Sequence, residues 1–280
     1  MKEKPFSKYQ ILANAVMIIW TLAIILPFIL LFMSSITDEN TLVANGYSFF
    51  PKKFSLASYS YIIKSGGQIL KAYGVSIGVT VVGTLLNVLL SALMAYPLSV
   101  KNLPGRNVMM FFVFFTMLFN GGIVPSYIMW TGTFHIKDTI FAQLLPNFLL
   151  SAWNVMMIRT YFTTSIPDGL YEAAEIDGAS QFTIFWKIVL PLGKPILVTM
   201  GTFAGLAYWN DWTNGLYYIV KNTGLYNVQN LLNQMVQNIQ FLTQSSNSNV
   251  TAAASTIPAT GIQMAIAFVA ILPIMLIFPS

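Results

Sequence analysis

The sequence predicts an all-α protein that crosses a lipid bilayer several times, and two observations predict it. Of the 280 residues, 56% are hydrophobic and only 8% are charged. A soluble domain has about a quarter of its residues charged, so 14 basic and 9 acidic side chains cannot clothe a water-soluble body of this size. A disordered chain needs the opposite composition. The second observation is where charge is missing: no charged side chain occurs from Tyr9 to Thr37, from Ala72 to Val100, from Asn107 to Ile136, or from Thr139 to Ile158. Each interval holds a helix of about 20 residues, enough to cross about 30 Å of hydrocarbon. Lipid offers the backbone no hydrogen-bond partner, so such runs must be helical.

Read with the Pro and Gly punctuation, the chain gives six expected spans, 11–34, 72–97, 107–130, 139–162, 196–219 and 257–279. Lys2, Lys4 and Lys8 precede the first, as in a secretory signal, but its apolar run to Met33 is too long and no small-residue cleavage site follows. Asn120-Gly121-Gly122 before Pro125 is expected to break the third span. Pro27, Pro97, Pro125, Pro146 and Pro273 read as kinks. Gly74 with Gly78, and Gly201 with Gly205, have the spacing that lets helix backbones touch in lipid. Residues 35–70 read as an outer loop and 98–106 as a tight inner turn; 220–256 is a polar segment with a short amphipathic helix, since Leu231, Leu232, Met235, Val236 and Ile239 recur at helical spacing. Asn249-Val250-Thr251 matches the glycosylation sequon, a pattern too short to carry weight. With the amino terminus inside, eight basic residues fall on the inner side (Lys2, Lys4, Lys8, Lys101, Arg106, Arg159, Lys187, Lys194) and six on the outer (Lys52, Lys53, Lys64, Lys71, Lys137, Lys221), a small bias toward both termini inside.

The inner loop 159–195 departs from the rest. Four of the nine acids, Asp168, Glu172, Glu175 and Asp177, fall there within ten residues. Ser165 followed by Asp168 predicts a capped helix start, with Pro167 in the first turn. Leu170, Ala173, Ala174 and Ile176 give that helix an apolar face, and Gly178 stops it. Ser180 caps a second short helix, carrying Phe182, Phe185 and Trp186, that ends before Pro191. An interfacial loop on lipid headgroups is the simpler alternative, but four acids would face an anionic leaflet. A protruding amphipathic helix suits a groove on another protein.

Here the residues resemble a known family. Glu172-Ala173-Ala174, then Asp177-Gly178-Ala179-Ser180, then Ile188, Leu190 and Pro191 match the EAA loop of importer-type ABC permeases. Ile166-Pro167 before it, Trp186-Lys187-Ile188 within it and Trp209-Asn210-Asp211-Trp212 after it are similar to the carbohydrate-type, MalG-like class. Leu225-Tyr226-Asn227-Val228-Gln229-Asn230-Leu231-Leu232 resembles the subgroup for complex polysaccharides or uronate oligosaccharides. The resemblance covers essentially the whole chain. It implies one permease domain, 1–280, with a cytoplasmic coupling helix-turn-helix at 164–195, in a bacterial cytoplasmic membrane. It also implies a second homologous permease, two cytoplasmic ATPase subunits that supply ATP and Mg, an extracytoplasmic solute-binding protein and an oligosaccharide cargo. Carried over, Glu172 faces a basic group of the ATPase, Ala173 and Ala174 fit close against it, Gly178 makes the turn and Asp177 supports it. The family continues into a short basic tail where this chain stops at Phe278-Pro279-Ser280, a departure that bears on any contact between such a tail and the ATPase.

Chemistry within the chain is scarce. It has no cysteine, its single histidine, His135, cannot form a zinc cluster, and its basic residues are scattered rather than striped as for nucleic acid. No phosphate-loop pattern, Ser-His-Asp set or His-Glu-x-x-His is present, so the chain reads as a non-catalytic subunit without cofactor or metal of its own. The candidates for the cargo path are few. Trp209, Asn210 and Asp211, near Trp212 and Asn214, offer amide, carboxylate and indole groups suited to a sugar; an aromatic belt with one solvated acid is the competing reading. Asn147 and Asn154, expected on one face of the fourth span with Gln143 a turn away, either line the path or bond a neighbouring helix. The wider alternatives are an ABC importer for a non-sugar solute such as a peptide or metal, a self-sufficient channel or secondary transporter, and a membrane-embedded enzyme.

Overall fold

The expected spans fold as helices, but three of them, the third, fourth and fifth, are interrupted. A computed structural model describes residues 8–64, 66–244 and 259–277. In chain order α1 is Lys8–Ser35, α2 Glu39–Asn45, α3 Ala57–Lys64, α4 Gly66–Ser99, α5 Arg106–Leu118 and α6 Ile123–Ile128, which runs into a π turn, Met129–Thr133. Then come α7 Phe141–Leu144, α8 Ala152–Ser165, α9 Asp168–Ile176 and α10 Gln181–Ile184, which passes through a π turn, Phe185–Val189, into α11 Leu190–Leu192. The last are α12 Lys194–Trp209, α13 Thr213–Tyr218, α14 Val228–Gln244 and α15 Ala259–Ile277. Among the described residues the only β pairing is an isolated Thr37–Phe54 bridge. By length and composition α1 and α4 can each cross a membrane alone. The total is up to four if α5 with α6 (bent 109°) and α10–α11 with α12 (bent 78°) each count as one span.

The chain divides into two compact units, Met1–Ile69 with Leu231–Ser280, and Leu70–Asn230. In the first, α15 packs on α1, α2 and α3. Phe32 and Phe268 meet at 4.9 Å between ring centroids, and Ser35 Oγ shares a hydrogen bond with Tyr59 Oη at 2.8 Å. The Glu39 carboxylate accepts the backbone N–H groups of Thr260 and Gly261, both at 2.8 Å. It thus supplies an anion to the first amides of α15, which have no partner within the helix. Every residue of α1 from Lys8 to Pro27 is exposed. Its all-round apolar surface suits lipid rather than water.

In the second unit α4 is the scaffold. Its last turns (Ala92, Ala95, Tyr96, Leu98) share one core with α8 (Val155, Ile158, Phe162) and with Ala174, Ile184 and Phe185 from the following loop. Gly201 and Gly205 of α12 meet it as their spacing predicts: a Cβ on Gly201 would lie 3.5 Å from Val88, and one on Gly205 3.3 Å from Thr84. Gly83 lies under the Tyr208 ring, where a Cβ would come within 2.5 Å. Gly74 and Gly78 differ. Among the described residues nothing lies within 4 Å of their Cβ positions, and they face an open groove of about 540 Å³ lined by Val75, Val79, Val82 and Leu144.

Several expectations need correction. The third interval does break, at 119–122, where Gly122 has φ +87° and its N–H bonds Asn120 Oδ1 at 2.8 Å. The fourth, expected as one helix over 139–162, is helical only at 141–144 and 152–165. Pro146 has no N–H to give a helix, and Asn147 is left-handed at φ +68°. The fifth, expected to run to 219, stops at Trp209 and resumes at Thr213. Ser165 closes α8 rather than capping α9, whose N-cap is Pro167 without a side-chain cap. The helix from Gln181 does not end before Pro191. The wider π turn at 185–189 precedes the proline and carries the helix on to Leu192. The predicted amphipathic helix is α14; the sequon Asn249-Val250-Thr251 lies outside the described residues.

Candidate functional site

Two features of the second unit stand out, at opposite ends of α4. The first is the loop between α8 and α12. α9 carries Asp168, Glu172 and Glu175 with Asp177 as its C-cap, Gly178 turns the chain at φ +76°, and Ser180 Oγ accepts the Thr183 N–H at 3.2 Å, capping α10. One face of this pair is buried, through Ala174, Ile184 and Phe185. The opposite face is bare: Glu172, Ala173, Asp177 and Gly178 are exposed, and Ile176 (85%), Phe182 (67%) and Trp186 (43%) leave apolar surface open. Of the predicted apolar face only Ala174 packs inward, so Ala173 and Ala174 part company. Phe182 and Trp186 meet edge to face at 5.9 Å. The loop and the end of α8 are both pinned to the 98–101 turn: Lys101 pairs with Asp168, and Arg159 Nε of α8 donates to the Leu98 carbonyl at 3.1 Å. Burial pushes the Tyr171 hydroxyl above the usual tyrosine value, against a smaller opposing pull from Ser99.

The second feature is a buried cluster of amides around the breaks at 145–151 and 210–212. A broken helix frees carbonyls, and away from water each needs a donor. Tyr208 Oη donates to the Leu144 carbonyl (2.9 Å), Asn214 Nδ2 to Pro146 (3.1 Å) and Asn87 Nδ2 to Phe148 (2.6 Å). Asn227 Nδ2 donates to the Asp211 carbonyl (2.6 Å), Asn230 Nδ2 to Trp212 (2.5 Å) and Gln143 Nε2 to Leu225 (3.0 Å). Asp211 Oδ1 collects the Thr213 N–H (3.0 Å), the Thr213 hydroxyl (2.8 Å) and the Asn214 N–H (3.3 Å), and so starts α13. Among the described residues its Oδ2 and the Trp209 Nε1 are buried without partners.

The cargo-path candidates therefore do not converge on one surface. Asp211 (5% exposed) and Trp209 (8%) turn inward, which removes the reading of a solvated acid in an aromatic belt, while Asn210 and Trp212 remain exposed. Asn154 is buried and donates to Asn87 Oδ1 at 2.7 Å. Asn147, exposed on the break, donates to Asn214 Oδ1 at 3.4 Å. With 145–151 non-helical, Asn147, Asn154 and Gln143 share no helix face. Sequence reasoning missed Asn87, Asn227 and Asn230. Their signal was polar amides inside or beside apolar runs, and only the fold shows which carbonyls they serve. It also missed Asp138, whose Oδ1 accepts the N–H groups of Val220, Lys221 and Asn222 at 2.7, 2.7 and 3.2 Å. These bonds, that from Lys221 foremost, hold its carboxyl below the usual range.

Comparison with known proteins agrees with this architecture. Over 255 residues the chain is 35% identical to protein LplC of Bacillus subtilis (strain 168), covering 91% of this chain and 84% of that one. Over 271 residues it is 34% identical to the polygalacturonan/rhamnogalacturonan transport system permease protein YtcP of the same organism, covering 97% and 92%. Its fold matches a chain in the crystal structure of a bacterial ABC transporter involved in the import of the acidic polysaccharide alginate, with a TM-score of 0.81, 25% identity, and 99% of this chain and 98% of that chain covered. Residues 74–279, which contain the α9–α10 loop and both helix breaks, match the family described as binding-protein-dependent transport system inner membrane component. That match covers most of the chain, and this chain belongs to that family.

Proposed function

We infer that this chain is the membrane-spanning permease subunit of an ATP-driven importer for oligosaccharides of the complex-glycan or uronate type, and that α9–α10 is where the energy enters. One observation carries the reading: a helix pair whose inner face is locked into the core presents Glu172, Ala173, Asp177, Gly178 and bare Ile176, Phe182 and Trp186 outward. A connection between two spans needs no such knob, and exposed apolar surface rimmed by charge marks a protein interface. The occupant is a cytoplasmic ATPase subunit, with Glu172 facing a basic group and Gly178 giving the tight turn. The assembly is this chain, a second homologous permease, two ATPase subunits holding ATP and Mg, and an extracytoplasmic binding protein that delivers the cargo. Alternating access follows when the ATPase pair closes and moves the loop.

The six-span topology with both termini inside fits the pairing of polar segments. The 98–101 turn bonds the α9–α10 loop, and Asp138 bonds 220–222, so segments assigned to one side meet one another. For cargo, the relatives named for polygalacturonan and the acidic polysaccharide alginate favour a uronate-type oligosaccharide. Asn147 and Asn210 are the candidate groups facing the path, and Asn154, Trp209 and Asp211 hold its shape from within.

The test is reconstitution of the whole transporter in liposomes with short oligogalacturonates as probe. Glu172→Ala and Gly178→Val are expected to insert and fold but to release the ATPase or uncouple it. A Cβ at Gly178 meets nothing within 4 Å among the described residues, so valine there acts through the strained backbone, about 1–2 kcal/mol, and the altered docking face. Normal ATPase retention and transport in both variants overturns the assignment; flux from the chain alone, without ATP, identifies a channel instead.

A further inference from the structure

Both helices that the chain joins to the α9–α10 loop are interrupted before they cross the second unit: α8 begins only after the break at 145–151, and α12 ends at the break at 210–212. A push delivered along either would be absorbed at its break. By contrast α4, which is not adjacent to the loop in sequence, is continuous from Gly66 to Ser99. Between Ser76 and Tyr96, about 30 Å at 1.5 Å per residue, it contains no proline. Toward its far end Ser76 Oγ accepts the Val228 N–H at 2.9 Å, and along its middle Gly83 lies under Tyr208 and Asn87 bonds both Asn154 and the Phe148 carbonyl. α4 therefore touches the segments around both breaks.

At its near end one side chain engages both helices of the loop. The Tyr96 ring stacks on Tyr171 of α9 at 6.5 Å and packs against Phe185 at 5.4 Å. Its hydroxyl donates to Gln181 Oε1 of α10 at 2.5 Å, and Gln181 Nε2 donates back across the turn to Glu175 Oε1 at 2.9 Å. The pair thus ties α4, α9 and α10 into one body around Gly178.

We propose that Tyr96 and Gln181 are positioning residues that transmit displacement of the coupling loop to α4, and that α4, rather than the two helices contiguous with the loop, carries it to the buried amide cluster. This rests on the loop being the drive site. Tyr96→Phe removes only the hydroxyl and keeps both ring contacts; Gln181→Leu removes the acceptor at an exposed position, so neither threatens folding. In the full transporter, reconstituted with its ATPase and binding protein and given short oligogalacturonates, both variants retain the ATPase and its unstimulated hydrolysis. Transport per ATP falls about fivefold or more, the scale of a coupling free energy between sites. The double variant is no worse than Gln181→Leu alone, because that substitution already removes the acceptor of the Tyr96 hydroxyl along with the Glu175 bond. Wild-type transport per ATP in both single variants overturns the proposal. Loss of hydrolysis or of the ATPase in them also overturns it, since the residues would then act in docking. If the unmodified complex itself shows no ATP-driven uptake, the drive-site reading fails instead.

Discussion

Asn147 holds a backbone conformation that few side chains accept. At φ +68° an L residue places its Cβ against its own carbonyl, costing about 1–2 kcal/mol, which asparagine tolerates better than most. Asn147→Ala and Asn147→Gly lose the same amide contact with Asn214, so the difference between them isolates the backbone. The glycine variant is expected to be more stable by about 1 kcal/mol after the entropy that glycine adds to the unfolded chain, read as a higher melting temperature in detergent. Equal melting, or a more stable alanine variant, would remove the strain argument. Residue identity was a good guide where a single residue decides the outcome: Gly178, Ser180 and Asn120-Gly121-Gly122 act where their chemistry predicts. It did not foretell that Asp211 is buried. Its burial comes from segments far along the chain.

At the scale of elements, the interrupted fourth and fifth intervals are the main departure from the sequence reading. Hydropathy reports how apolar a run is, not whether its backbone stays helical. Pro146 marked the first break, but a proline within an apolar run also fits a kinked helix. Asp138 ties another pair of elements, the turn before α7 and the segment after α13. Its folded pKa lies below the ordinary 3.8, so its carboxylate stabilises that contact fully above the ordinary value, and the contribution is lost as pH falls through the lower folded value. Amide exchange at 220–222, corrected for its intrinsic pH dependence, is expected to speed up on acidification below about pH 4. In Asp138→Asn it is flat over that range, and the same acid-induced rise there would show that another group titrates.

At the scale of the molecule, each compact unit is closed by a few polar groups from distant parts of the chain. In the first, Glu39 bonds the start of α15 across 221 and 222 positions of sequence. Hydrogen bonds to a charged group contribute about 1.5–3 kcal/mol. Glu39→Ala is therefore expected to destabilise the α1–α3/α15 unit by about 2 kcal/mol, with Glu39→Gln intermediate, as followed by protease cleavage within it. Unchanged cleavage in both variants would show that apolar packing alone holds the unit. By itself the sequence determined that the chain is helical and membrane-borne, where α1, α4 and α15 run, and that an acidic helix pair projects between α8 and α12. Those properties follow from composition, spacing and single-residue chemistry, which are local. The tertiary structure alone decided which apolar runs break, which amide serves which freed carbonyl, and that α4 touches both the loop and the buried cluster. A carbonyl released by a broken helix is satisfied by whatever donor the fold brings beside it, and that donor can lie anywhere in the chain.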